Sequence, residues 1–148
     1  MAVEFDINFR ERPECYEIGR GERGVFKVQP YKSELLPLWQ YRDGDAARTS
    51  SEAIWEKFEE YKEAEDFVGM DMARKYLQMG FTRAMRYAKY PGGRKYEDGE
   101  EREPEKWADA DKREAAVIFK QKWDAARDDD TYQRLRDAHQ QRDRPDDC

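Results

Sequence analysis

The run from Asp66 to Pro91 constrains the fold more than any other part of the chain. Asp66 is a residue type that caps helices. Met70, Ala73, Leu77, Phe81, Ala84 and Ala88 then recur at spacings of three and four, which is one face of a helix. Pro91-Gly92-Gly93 closes the run, so the pattern predicts a helix from 67 to about 90. Ala73, Gly80 and Ala84 are small enough to admit a neighbouring element. Gly80 costs nearly 1 kcal/mol of helix propensity against Ala, so it marks either that close contact or a break into two helices.

Other helices are readable around it. Thr49-x-x-Glu52 spells a capping box, followed by the apolar stripe Ile54, Trp55, Phe58 and Tyr61, and predicts a helix over 50–64. Pro104 suits a first helical position ahead of Trp107, and Ala108, Ala115, Phe119, Trp123 and Ala126 supply a face. Asp128-Asp129-Asp130 interrupts that pattern and can cap a last short helix holding Tyr132 and Leu135. Pro30 to Pro37 fits one helical turn capped by Ser33, Leu38 and Trp39 are placed in the core, and Tyr41 to Ala47 reads as a linker.

The N-terminal part reads differently. Val3, Phe5, Ile7 and Phe9 alternate with polar residues, the period of a half-buried strand, and Gly24–Gln29 is a second extended candidate. The expected fold class is therefore α+β, mostly α: a small N-terminal β-sheet or hairpin followed by three to four helices. Residues 1–139 are expected to form a single domain. The tail 140–148 has no apolar residue except Cys148 and is expected to fray or be disordered.

Charge supplies the functional lead. The 148 residues carry 28 basic and 34 acidic side chains, a net of −6, and their 14% aromatic content argues against wholesale disorder. The balance is segregated: residues 69–96 set seven cations against Asp71 alone, a local +6. An acidic protein does not adhere generally to polyanions, but a local cationic block can focus an anionic ligand. Arg74, Lys75, Arg83, Arg86, Lys89, Arg94 and Lys95 are the candidate phosphate contacts, with Tyr76, Tyr87 and Tyr90 as candidate stacking rings. The competing reading pairs the same cations with Glu56–Glu65 and leaves no ligand.

Gly19-x-Gly21-x-x-Gly24 has the spacing of a pyrophosphate-binding turn, but no βαβ unit follows it. Arg20 and Arg23 could still hold an anion there, and with Tyr31 and Lys32 they frame an alternative reading as a small-metabolite enzyme. A structural, homo-oligomeric protein is the third reading. Whether the chain is an enzyme stays open.

Other chemistry has little support. Cys15, His139 and Cys148 are too few and too scattered for a structural zinc site, so no metal and no cofactor is expected. His139 reads as a surface or half-packed residue, and Cys15 as a small buried hydrophobe. Two cysteines, one of them terminal, argue against a disulfide scaffold. With no apolar run long enough to span a bilayer and no secretion pattern at the start, a cytoplasmic protein is expected.

One resemblance enters on longer motifs. Tyr16-x-Ile18-Gly19-Arg20-Gly21-Glu22-x-Gly24-Val25, Pro30 to Pro37 and Phe67 to Gly80 resemble an uncharacterised family of small cytoplasmic proteins, the domain of unknown function numbered four-three-eight-five. The similarity runs through about Tyr96. It implies relatives in bacteria, haloarchaea and phages, which agrees with the acidic, halophile-like balance, and it implies no activity or catalytic set.

Overall fold

The computed structural model describes residues 7–19, 24–90, 96–97, 99–101 and 109–148. At its centre lies the helix that the sequence pattern marks most clearly. This helix, designated α3, spans Phe67–Lys89. Asp66 caps it, its carboxylate accepting from the Gly69 amide at 3.1 Å. Gly80 does not break it. A Cβ at that position would stand 2.5 Å from the Phe119 ring, so glycine is what allows a second helix to lie directly against α3.

Four other helices surround α3: α1 (Tyr31–Leu35), α2 (Gly44–Glu63), α4 (Ala110–Asp128) and α5 (Asp130–Gln140). A 3-10 turn, Leu36–Leu38, continues α1. The shared core is built from fully buried Ile54 and Phe58 of α2, Met70 and Leu77 of α3, and Phe119 of α4. Burying side chains of this size is worth roughly 1.5–3 kcal/mol each, which is why amphipathic helices this polar overall assemble at all. No helix of the described residues is long and apolar enough to cross a membrane.

Helix starts follow carboxylate caps. α2 begins at Gly44, earlier than the Thr49–Glu52 box suggests, because Asp43 accepts from the Ala46 amide at 2.8 Å. The added turn buries Ala47, and just beyond it buried Ser50 accepts through Oγ from the Gln40 amide at 3.0 Å. The predicted linker 41–47 is thus partly helix. Ser33 caps nothing; its hydroxyl donates to Gln29 Oε1 at 2.9 Å. Asp109 and Asp129 cap α4 and α5, accepting from the amides of Lys112 and Tyr132. Pro104 and Trp107 lie outside the described residues.

The expected α+β class is wrong. The protein is mostly helical, and among the described residues no N-terminal sheet or hairpin forms. Residues 3–6 of the predicted first strand lie outside the described residues, and beyond them a single parallel bridge joins Asn8 to Gln29. The chain leaves that bridge at once, because the Asn8 side chain accepts from the amides of Arg10 and Glu11 and turns the backbone. Gly24–Gln29 is not a strand either. Gly24 adopts φ +93°, open to glycine at no steric cost, and its carbonyl accepts from the amides of both Lys27 and Val28. That turn sends Val25 and Val28 into the core and leaves Phe26 and Lys27 exposed. The described strands are two residues each, β1 (Tyr96–Glu97) and β2 (Glu100–Glu101), paired antiparallel across Gly99.

The chain ends meet. A disulfide joins Cys15 to Cys148, 133 residues apart, where the sequence suggests unpaired thiols. The segment after α5, expected to fray, lies against the N-terminal segment. Arg142 Nε donates to the Glu14 carbonyl at 2.9 Å, Arg144 pairs with Glu17 at 2.7 Å, and Arg12 pairs with Asp147 at 2.8 Å. Charge-assisted bonds of this kind order a segment that has little apolar surface to bury.

Candidate functional site

The +6 block divides along α3. In the N-terminal half, Asp71 is completely buried. Its Oδ1 accepts from Arg74 Nη2 at 2.6 Å and from the Tyr132 hydroxyl at 2.6 Å. Its Oδ2 accepts from the Tyr16 hydroxyl and faces Lys75 Nζ at 4.0 Å. Burial alone would raise the Asp71 carboxyl, but the charges of Arg74 and Lys75 and the two phenols outweigh it and hold the group below its ordinary range. The phenols respond in the opposite sense. Burial and the adjacent carboxylate push both Tyr16 and Tyr132 up, so each stays protonated and donates.

Arg74 and Lys75 are therefore interior groups. Lys75 is fully buried and Arg74 only 8% exposed. Their expected role on the solvent-facing phosphate surface is corrected by this geometry: at helical offsets of three and four from Asp71, both complete an internal pair.

The tyrosines expected to stack on bases are also engaged. Tyr76 is fully buried and donates to the Val25 carbonyl at 2.6 Å, and Tyr90 is buried. Tyr87 is half-buried, with Lys112 Nζ 5.5 Å from its ring centroid and Tyr41 beside it. None of the three resembles an open stacking platform.

The C-terminal half of α3 is different. Arg83, Arg86 and Lys89 are all exposed. Two adjoining grooves meet at Arg83. One, about 150 Å³, runs to Phe26 and Lys27 of the Gly24 turn; the other, about 510 Å³, passes Arg86 and Lys89 to Tyr90. Among the described residues, Lys27, Arg83 and Lys89 have no carboxylate within ion-pairing distance. Phe26, 44% exposed, lies at the end of this cationic path. Lys27 and Phe26 were not singled out by the sequence reading. The three-residue spacing of Val25 and Val28 was the available signal, because in a turn it directs both inward and the two residues between them outward.

The remaining candidates scatter. Arg20, Arg23, Arg94 and Lys95 lie outside the described residues. Lys32, half-buried on α1, lines neither groove. Tyr31 is buried and donates to Asp66 at 2.6 Å, with Arg10 above its ring and on Glu34. His139, expected near the surface, is buried beside Phe67, and its Nε2 donates to the Tyr16 carbonyl at 2.6 Å. Burial holds its imidazole below the usual 6.5, and the Arg142 charge adds to this against the Tyr16 bond. Among the described residues no group of three or more acidic, His or Cys side chains could hold a metal ion.

The family model of DUF4385, a domain of unknown function, matches residues 2–142, and the chain belongs to that family. Neither a curated protein nor a solved structure matches it.

Proposed function

We propose that this member of the family binds single-stranded nucleic acid along the Lys27–Arg83–Lys89 path, with phosphates on the cations and a base against Phe26. The observation that carries this reading is the pooling of exposed, unmatched cations in one continuous groove of a protein whose net charge is −6. Elsewhere most cations are answered locally, as Arg10 is by Glu34, Lys62 by Asp129 and Lys120 by Asp124. Arg forks and Lys points suit phosphate oxygens. An exposed ring beside them favours unpaired bases over duplex, because only unpaired bases offer a free face. Arg86 extends the same face.

The rival readings have weaker supports. A metabolite site built on Tyr31 loses its phenol to Asp66, and of the aromatic subunit interface expected at Trp107, Phe119 or Trp123, Trp107 lies outside the described residues and the other two offer no exposed patch. Phe119 is fully buried and Trp123 is half-covered, with Arg127 over its ring at 4.3 Å.

Fluorescence anisotropy with short single-stranded and double-stranded oligonucleotides of equal phosphate number tests the proposal. Tighter binding of the single strand is expected, with the preference abolished by Phe26→Ala. Absence of binding to either strand form at low salt overturns it.

A further inference from the structure

A second, deeper site lies away from the groove. Between mid-α3, the end of α4, α5 and the segment Glu17–Gly19 runs a cleft of about 750 Å³, lined by four arginines and two acids. Its floor is the edge of the buried network already described. Arg74 spans it, with Nη1 donating to Gln78 Oε1 at 2.7 Å and Nε and Nη2 on Asp71. The guanidinium is thus held from behind, with its charge answered by Asp71, and it gives the cleft a rigid floor.

The rim is cationic for separate reasons at each position. Arg136, exposed on α5, has no carboxylate partner among the described residues. Arg142 gives hydrogen bonds to the carbonyls of Glu14, Tyr16 and His139, which orient it, and its Nη2 also faces Glu17 Oε1 at 3.6 Å. Arg127 lies on the Trp123 ring and is paired with Asp124. Of the two acids, Glu17 is held mainly by Arg144, outside the cleft, at 2.7 Å, and more distantly by Arg142 at 3.6 Å. Asp137 is left to face the arginines. Gln78, Gln133 and Gln140 bring amides that both donate and accept, and Ile18, Trp123 and Tyr132 supply apolar surface.

We infer that this cleft binds a small hydroxylated compound carrying a phosphate, a sugar phosphate in chemical class. Arg136 and Arg142 would take the phosphate oxygens, and the glutamine amides would take the hydroxyls. A lining this polar gives little to an apolar ligand, and a lining with surplus guanidinium gives little to a neutral sugar. This site is independent of the nucleic-acid reading, since it shares no residue with the Lys27–Arg83–Lys89 path.

Isothermal titration calorimetry with inorganic phosphate, glucose 6-phosphate and glucose tests it on the intact chain. Glucose 6-phosphate is expected to bind at least tenfold more tightly than phosphate, with no heat from glucose. Arg136→Glu, on an exposed and unpaired residue, is expected to fold normally and weaken glucose 6-phosphate binding by tenfold or more. Charge removal at Lys27, Arg83 and Lys89 is expected to leave it unchanged. Equal affinity for phosphate and glucose 6-phosphate overturns the ligand class. No binding of either, or binding indifferent to Arg136→Glu, overturns the site.

Discussion

Asp71, Arg74 and Lys75 lie in the N-terminal half of α3, under α5 and the segment at Tyr16, whereas Arg83, Arg86 and Lys89 stand further along the same helix and face water. Both halves are cationic in sequence. In the first, one carboxylate and two phenols arrive from the helix itself, from Tyr16 and from Tyr132, and the cations become part of the interior. In the second, the described groups nearest Arg83 are Val25, Phe26, Lys27 and Met79, with no acid among them. Sequence charge thus stays on the solvent-facing surface only where the fold withholds counter-charge.

The strongest way to break this contrast is at Asp71. Asp71→Asn takes from buried Arg74 and Lys75 the carboxylate between them and is expected to cost about 3–5 kcal/mol, read by urea denaturation. A loss under about 1 kcal/mol would mean that the two halves do not differ as described. Next is Gly80, between the halves. Gly80→Ala places a methyl into the Phe119 ring and is expected to cost about 1–3 kcal/mol despite the better helix propensity of Ala. A stabilised variant would show that α3 and α4 are not held this closely.

The pH dependence sharpens the neutralised half. His139 is a base whose proton the folded state disfavours, so below its ordinary 6.5 the unfolded chain binds more protons than the folded one. Its contribution is complete above that pH and lost as pH falls through the window beneath it, before the carboxylates titrate. Arg142, Glu17 and Asp71 are the charged groups around the ring. His139→Gln, which can still donate to the Tyr16 carbonyl, is expected to flatten the slope of thermal stability between about pH 7 and 5.5. An unchanged slope would remove His139 as its source.

What was legible in the sequence was local. Asp66, the apolar period of 67–90 and Pro91 lie within one segment and define α3 without reference to anything else. Asp71, Arg74 and Lys75 have offsets that announce an ion-paired helix face, yet their burial depends on Tyr16 and Tyr132, 55 and 61 residues away. The Cys15–Cys148 bond was hidden for the same reason, across 133 residues. Among the described residues the N-terminal strands do not form, because the alternation ending at Ile7 and Phe9 and the branched residues at Gly24–Gln29 state a preference for extension that the Asn8 and Gly24 turns overrule. Arg136 and Arg142 sit in an acid-rich C-terminal block whose total of −6 conceals them. The spacing of Gln133, Arg136 and Gln140 on one face of α5 was the readable trace.

The smallest expected effect on stability is also the most informative for function. Replacing Lys27, Arg83 and Lys89 together by Ala touches no described ion pair and should change folding stability by no more than about 0.5 kcal/mol per site. The direct test is the salt dependence of single-strand binding by the parent chain and this triple variant. Three to four phosphate contacts predict that the parent loses affinity roughly 20- to 50-fold between about 50 and 200 mM salt, and that the triple variant binds weakly with a nearly flat dependence. The same steep slope in both proteins would contradict the assignment of the phosphate contacts to the C-terminal half of α3.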